Sequence, residues 1–143
     1  MIVVVIMEWD IGYPEWFYNK IFGEEKSCNA YVASLVNDTG NEKQIIGYIM
    51  LQLSKRENDS HIQGLFVEEK YRHRGIAKRL INEAENYSKS IGSKCITASV
   101  APRLLRFYNN LGFSMSKELG PTNIMMLKNL EKSKEIEDDD LEL

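Results

Sequence analysis

The middle of the chain carries a strand, an amphipathic helix and a second strand in succession, and this order restricts the possible folds more than any other feature. Residues 61–67 (HIQGLFV) and 94–100 (KCITASV) are both rich in β-forming residues. Between them, from Gly75 to a stop at Gly92, apolar residues recur at helical spacing. These apolar positions are Ile76, Leu80, Ile81, Ala84, Tyr87 and Ile91. A crossover helix between two strands of one sheet makes the strands parallel.

The flanking segments predict antiparallel neighbours. Residues 30–36 and 44–53 are β-rich and are separated by the turn-forming NDTGNEK, which indicates a hairpin. The second of these runs is apolar on both faces, as in a central strand covered on both sides. Residues 103–111 predict a short helix, and residues 113–127 a last hairpin that turns at GPTN. The fold class is therefore α/β, with a mixed, mostly antiparallel sheet, a central parallel β-α-β unit and flanking helices.

Length and charge divide the chain into one domain and a tail. A chain of 143 residues, 43% hydrophobic, is long enough for a single core, which we assign to residues 1–130. From Glu131 onward, seven acidic residues and two lysines contribute -5 to a net charge of -3, which leaves +2 for the domain. Residues 131–143 are expected to form an acidic, solvated and disordered tail.

Several other classes of protein fit the sequence poorly. The apolar start MIVVVIMEWD is too short for a signal peptide, lacks a basic segment before it and ends at Glu8. No run reaches the length of a membrane span, so a cytoplasmic protein is expected, without membrane contact. Cys28 and Cys95 lie far apart, with no CxxC motif or cluster of cysteine and histidine, which argues against both zinc and a disulfide framework.

The stretch YRHRGIAKRL (residues 71–80) has the character of an anion site. A loop that enters a helix directly at Gly75 exposes unpaired backbone N–H groups, to which the helix dipole adds partial positive charge. Arg72 and Arg74 supply charge-assisted donors, and the small residues let a bulky phosphate approach closely. The alternative for such a loop is a solvated turn. Its position after a buried strand and before an amphipathic helix favours a pyrophosphate site.

Two motifs resemble those of the GNAT superfamily of acetyl-CoA-dependent N-acetyltransferases. RHRGIA (residues 72–77) fits the signature Arg/Gln-x-x-Gly-x-Gly/Ala, and RFYNNLGF (residues 106–113) resembles the second motif, a tyrosine followed four residues later by Gly-Phe. The resemblance implies acetyl-CoA as cosubstrate and no metal. It also implies that backbone groups of Phe66 and Val67 pair with the pantetheine arm. The loop residues implied to hold the coenzyme A pyrophosphate are Arg72, His73, Arg74, Gly75, Ile76 and Ala77.

Within the superfamily, the chain is most similar to the N-terminal protein acetyltransferases of the ribosomal-protein-alanine type. GYPEWFY (residues 12–18) resembles the segment that lines their peptide entrance. Three features depart from the family pattern. Ala101 replaces a frequent asparagine, the last hairpin lacks paired tyrosines, and the start is abbreviated. With GYPEWFY placed in the family register, residues 1–10 fall where the first family helix belongs, although their β-branched run prefers a strand. Either the first strand is missing or the topology is shortened.

The chemistry of acetyl transfer suggests two catalytic residues. A protein α-amine has a pKa of ~8 and lysine ~10.4, so an N-terminal substrate needs only a modest base. His61 is the candidate base because histidine titrates near working pH, and it lies where family members place a catalytic side chain; the alternative is a half-exposed residue at a strand end. Tyr108 matches the family tyrosine that protonates the leaving thiolate, and its alternative is a packed aromatic residue.

The sequence thus predicts an enzyme that acetylates a primary amine, with a protein N-terminus as the expected substrate and partner. A lysine or a small amine is the alternative substrate. A noncatalytic module that binds acyl-CoA is the alternative function, and the presence of Tyr108 favours the enzyme. A nucleic-acid patch is the least favoured interpretation, because four cations on a nearly neutral domain come with no reading motif. These cations are Arg72, Arg74, Lys78 and Arg79.

Overall fold

A computed structural model describes residues 3–8, 26–36, 43–54 and 56–131, and these form one seven-stranded sheet with two α-helices. Short 3-10 turns at Glu69–Tyr71 and Pro102–Leu104 precede the two helices. In chain order the elements are β1 (Val3–Glu8), β2 (Lys26–Val36), β3 (Lys43–Ser54), β4 (Asp59–Val67), α1 (Ile76–Ser90), β5 (Cys95–Val100), α2 (Leu105–Asn110), β6 (Ser114–Gly120) and β7 (Asn123–Asn129).

The strand order is β1-β2-β3-β4-β5-β7-β6. Only β4 and β5 are parallel among the described strand pairs, and α1 connects them. The predicted mixed sheet with a central β-α-β unit is therefore confirmed. The crossover explains the arrangement, because a helix that returns the chain to the same end of the sheet makes the next strand run parallel to the previous one.

The first strand is present. β1 pairs antiparallel with β2, in register from Val3 opposite Val36 to Glu8 opposite Tyr31. Its β-branched run adopts the extended structure that such residues prefer. Of the two alternatives for the abbreviated start, a missing first strand is therefore wrong. Residues 9–25, with the GYPEWFY segment, and the tail from residue 132 lie outside the described residues.

The two parallel strands pair only at their beginnings. β4 and β5 are in register from Asp59 opposite Cys95 to Ile62 opposite Ala98. In the next step Leu51 faces Ile62 while Met50 faces Gly64, so that Gln63 is an extra residue, a β-bulge. A bulge bends its strand and increases the local twist. Beyond it, β4 continues along β3 to Val67 without a pairing to β5, and a cleft opens between the two parallel strands.

The face of α1 that packs on the sheet differs slightly from the apolar face that the sequence predicts. Leu80, Ile81 and Ala84 are fully buried in the core, as expected, and Tyr87 packs against it. Ile91, by contrast, lies just after the helix and is 48% exposed, so its place in the apolar face is wrong. The buried face contains Glu85 instead, at 6% exposure. A charged residue breaks the apolar pattern there, and its partner is far away in the sequence.

Two further predictions are corrected. On β3, Ile49 and Leu51 are fully buried, while Tyr48 and Met50 on the opposite face are half-buried, so within the described part of the chain one face of the strand is packed more closely than the other. The helix predicted at residues 103–111 is α2 with a 3-10 turn before it, because Pro102 starts the turn and Gly112, at a positive φ of 94°, follows its end.

Candidate active site

A cavity of about 500 Å³ lies where β4 parts from β5, between the end of β4, the start of α1 and helix α2. Its walls are strand-end residues, loop residues and one face of the second helix. The lining residues are Leu65, Phe66, Val67, Tyr71, Arg72, His73, Gly75, Ile76, Ala77, Lys78, Arg103, Leu104, Phe107 and Tyr108. The cavity therefore brings together eight of the ten residues that the sequence singles out, all except His61 and Arg74.

The loop before α1 directs backbone donors into the cavity. Gly75 caps the helix in the left-handed conformation, with φ 80° and ψ 7°, and no side chain caps the helix start. The first bond inside the helix runs from the N–H of Arg79 to the carbonyl of Gly75, 3.1 Å away. The N–H groups of Ile76, Ala77 and Lys78 thus have no carbonyl inside the helix, as at any helix start. Together with the helix dipole they favour an anion at this position.

Arg72 is held at the rim of the cavity by the strand that precedes it. Its Nε donates to the carbonyl of Val67 at 2.7 Å, and its guanidinium lies 5.8 Å from the centre of the Phe66 ring. These contacts fix the planar group while its terminal nitrogens stay available as donors. Arg74 does not line the cavity. Its guanidinium lies 5.8 Å from the centre of the Tyr71 ring.

The charged side chains that line the cavity are all cationic. They are Arg72, Lys78 and Arg103, and the described residues of the wall include neither Asp nor Glu. A cavity with this charge and with free amides suits the phosphates of coenzyme A, while Leu65, Phe66 and Leu104 offer apolar contact to its pantetheine arm. The residues that the chain supplies therefore fit acetyl-CoA.

Tyr108 lies at the inner wall of the cavity and is 4% exposed. Its ring is packed edge-on between those of Phe107 and Phe113, with 5.2 Å between ring centres on each side. Burial raises the pKa of Tyr108 to about 12, because a phenolate would lose its hydration there. The hydroxyl therefore keeps its proton at neutral pH. The sequence leaves two alternatives for Tyr108, a packed aromatic residue and a proton donor. Its ring is packed, and the residue also lines the cavity, so the two alternatives are compatible.

His61 lies outside the cavity, on the paired part of β4. Its Nδ1 is 2.7 Å from Thr97 Oγ1 on β5. Burial lowers the pKa of His61 below its ordinary value of 6.5, and the nearby Asp59 opposes this shift. His61 and Phe66 pair with Gln52 and Tyr48 of β3, four residues apart, so both lie on one face of the sheet, ~13 Å apart along the strand. His61 is therefore a half-buried imidazole with a lowered pKa, on the same sheet face as Phe66 at the cavity wall.

Sequence reasoning did not single out several residues that complete this arrangement. Arg103 and Phe107 line the cavity one helical turn apart, just after Pro102. Their position next to the Tyr108 motif is the signal from which they could have been found. Thr97 is a different case. It contacts His61 only because β4 and β5 are parallel and in register, and nothing in its own sequence surroundings indicates this.

Two kinds of feature are absent from the described residues. No group of three or more His, Cys, Asp or Glu side chains is arranged to hold a metal ion within residues 3–8, 26–36, 43–54 and 56–131. In the same part of the chain, neither helix has the length and hydropathy needed to cross a membrane.

Comparison with known proteins gives a family and a fold. A protein-family model described as "Acetyltransferase (GNAT) domain" matches residues 22–132, most of the chain. The search of curated proteins found no match. Among solved structures, the chain is similar to an acetyltransferase of the GNAT family from Staphylococcus aureus Mu50, with 20% identity over 90% of this chain and 100% of that one and a TM-score of 0.64.

Two further structures are similar at comparable levels. The IAA acetyltransferase from Bacillus cereus ATCC 14579 shares 18% identity over 89% of this chain and 99% of that one, with a TM-score of 0.64. The PaiA N-acetyltransferase from Thermoplasma acidophilum, solved with coenzyme A, shares 21% identity over 82% of this chain and 80% of that one, with a TM-score of 0.56. These structural similarities show the fold. The family match covers the strands, loop and helices that form the cavity. The chain belongs to the GNAT family of acetyltransferases, and acetyl-CoA is its cosubstrate.

Proposed function

We propose that this acetyltransferase acts on the α-amine of a protein N-terminus. The proposal rests mainly on the setting of His61, which is half-buried beside Thr97 on the same sheet face as Phe66 and has a pKa lowered by burial. Such an imidazole is neutral at pH 7 and is a weak base. The substrate amine should therefore be one that gives up its proton easily.

The basicity of the amine separates the candidate substrates. An α-ammonium group has a pKa of ~8 and a lysine ammonium ~10.4, so deprotonating the lysine costs about 3 kcal/mol more. The pKa of His61 lies below 6.5, so it is much farther from the pKa of a lysine ammonium than from that of an α-ammonium group. A protein N-terminus thus fits the available base better than a lysine or an aliphatic polyamine does.

Two side chains would transfer the protons of the reaction, one as acceptor and one as donor. When Nδ1 of His61 carries its proton and donates to Thr97 Oγ1, Nε2 is left as the acceptor for a proton of the amine, directly or through water. Acetyl-CoA supplies the acyl group as an activated thioester. As the new N–C bond forms and the C–S bond breaks, Tyr108 gives its hydroxyl proton to the departing sulfur. Solvent then returns a proton to the phenolate and removes one from the imidazolium.

The rest of the cavity would bind and orient the cosubstrate. The N–H groups of Ile76, Ala77 and Lys78 and the guanidinium of Arg72 would hold the pyrophosphate. Arg103 lies across the cavity and would contact a further phosphate. The end of β4 at Phe66 and Val67, which does not pair with β5, would align the pantetheine arm beside the Val67 carbonyl that Arg72 already occupies. The thioester would then point toward the sheet face that bears His61.

A panel of matched acceptors tests the proposal. One set contains peptides of identical sequence that differ only in a free first residue. A second set has the N-terminus blocked and one internal lysine, and a third contains polyamines. At pH 7.5 we expect kcat/KM for the free N-termini to exceed that for the lysine peptides by about 200-fold, in line with the fraction of amine in the neutral form.

The same panel contains the results that would contradict the proposal. Blocked lysine peptides or polyamines that turn over faster than free N-termini would make the chain a lysine or small-amine acetyltransferase. If acetyl-CoA bound but no acceptor were acetylated, the noncatalytic alternative would regain support. A preference among first residues would in addition show which N-termini the enzyme selects.

A further inference from the structure

Glu85 is a buried carboxylate that the proposed chemistry does not use. It lies on the sheet-facing side of α1 and is 6% exposed. An isolated carboxylate is expensive to bury, so a partner is expected. The partner is Lys128 of β7, whose Nζ lies 3.0 Å from Oε1 and 3.1 Å from Oε2. The ion pair joins the helix of the cofactor loop to a strand on the far side of β5.

Lys128 has a third contact, and this one leads toward the active site. Its Nζ donates to the carbonyl of Leu111 at 2.8 Å, at the end of α2. An ammonium group has three donors, and the carboxylate and this carbonyl together account for them. Glu85 thus fixes the position of the ammonium, and the ammonium in turn fixes the end of α2.

The end of α2 is tied directly to Tyr108. The carbonyl of Tyr108 accepts hydrogen bonds from the N–H groups of Leu111 and Phe113, each at 3.0 Å. The Phe113 ring also packs against that of Tyr108. Helix α2 has only six residues and no side-chain cap, so tertiary contacts must hold it in place. The contact between Lys128 and Leu111 is one of them, and it is three residues from the tyrosine.

We propose that Lys128 is a positioning residue for the proton donor of this enzyme. Held by Glu85, its ammonium group anchors the carbonyl of Leu111 and thereby sets where the Tyr108 hydroxyl lies in the cavity. This inference rests on the proposed role of Tyr108. The expected sensitivity is high, since a displacement of ~1 Å at a reacting group can reduce a rate ~100-fold.

A double-mutant cycle distinguishes positioning from general support of the fold. We expect Lys128→Met to lower kcat about tenfold in the parent, but less than about twofold in a Tyr108→Phe background, where there is no donor left to misplace. The Kd of acetyl-CoA should change less than about twofold. Lys117→Met is the matched control, because it removes the same group from the exposed strand β6, and it should leave kcat unchanged. An equal loss from Lys128→Met in both backgrounds would overturn the proposal.

A variant without an unpaired buried charge guards against misfolding. Glu85→Gln/Lys128→Met removes both charges and should show the same non-additivity with Tyr108→Phe, since Leu111 again loses its donor. Glu85→Gln alone keeps the ammonium next to the Leu111 carbonyl and should lose less activity than either. If Glu85→Gln lost as much as Lys128→Met, the contact with Leu111 would not be the important one, and the proposal would fail.

A measurement independent of turnover separates this inference from the proposed function. In protein labelled at tyrosine ¹³Cζ, the Tyr108 signal is the one that disappears in Tyr108→Phe. We expect this signal to shift in Lys128→Met and to stay in place in Lys117→Met. An unmoved signal in Lys128→Met overturns the link between Lys128 and Tyr108. If Tyr108→Phe turned over like the parent, the donor role itself would be lost, and the positioning of a donor with it.

Discussion

The cofactor cavity and the sheet face around His61 are built from different parts of the chain. The cavity end relies on backbone geometry, with N–H groups at a left-handed glycine and an arginine held by the carbonyl of Val67. The face around His61 relies on side chains that meet across strands. Nδ1 of His61 contacts Thr97, and Gln63 at the bulge donates to Gln52.

This difference indicates which changes each region tolerates. Backbone donors exist with almost any side chain, so long as the loop keeps its conformation, and the cavity should therefore fail chiefly when that conformation or its charge is changed. The face around His61 depends on the identity of individual residues. Single substitutions there should alter rate and pH dependence while the fold and cosubstrate binding persist.

The largest expected effect is therefore at Gly75. Gly75→Glu places a negative charge beside the pyrophosphate and a Cβ on a residue with φ 80°. Two unit charges ~4 Å apart repel by about 4 kcal/mol at an effective dielectric constant of 20, close to a thousandfold in affinity. We expect calorimetry to show a loss of this order in acetyl-CoA binding.

Gly92 provides a control for the backbone strain. It follows the other end of α1, has φ 85° and, like Gly75, would place a Cβ in open space. Gly92→Glu should cost a similar ~1–2 kcal/mol of stability for a left-handed non-glycine residue, yet bind acetyl-CoA like the parent. Equal affinity in the parent and in Gly75→Glu would remove the anion-site argument.

The next largest effect is expected from one oxygen at the cavity wall. Tyr108→Phe keeps the ring between Phe107 and Phe113 but removes the proton donor. General acid catalysis contributes ~100-fold or more, and the thiolate of coenzyme A is a fairly good leaving group, so we expect kcat to fall ~100-fold with little change in cosubstrate affinity. Since the pKa of Tyr108 is about 12, the donor should stay protonated throughout ordinary assay conditions.

The control for this change is Tyr87→Phe, which removes a hydroxyl from α1 outside the cavity. It should turn over like the parent. A Tyr108→Phe enzyme that also did so would leave Tyr108 with a packing role only.

The cofactor half of the molecule was largely predictable from the sequence, because its signals are local. The strand, loop and helix from His61 to Ser90 are contiguous, and turn residues, periodicity and a glycine mark their limits. The same holds for the strand character of residues 3–8, where β-branched residues outweighed the helix expected from the family register.

What could not be predicted depends on partners distant in the sequence. Glu85 reads as a surface residue until Lys128, 43 residues away, is placed beside it. The contact of Thr97 with His61 requires the register of two strands separated by a helix. In both cases the residue types are ordinary, and only the three-dimensional arrangement makes them important.

The smallest expected effect concerns His61, and it should depend on pH. With the pKa of His61 below 6.5, the parent has a neutral base at pH 7. The His61→Ala variant has no such base and can use only the fraction of the amine that is already deprotonated in solution. For an α-amine with a pKa of ~8 we expect kcat/KM of the variant to be about tenfold lower at pH 7 and within about twofold of the parent at pH 9.

Thr97→Val sharpens this last comparison, because it keeps the imidazole and removes the hydroxyl 2.7 Å from Nδ1. If Thr97 only orients the ring, its loss should lower the rate less than His61→Ala does and leave the shape of the pH profile unchanged. A rate ratio for His61→Ala that is constant from pH 6 to pH 9 would mean that the ring supports the sheet and takes no proton. In that case the base for the amine would be another group near the sheet face around His61, and the preference for a weakly basic amine would lose its support.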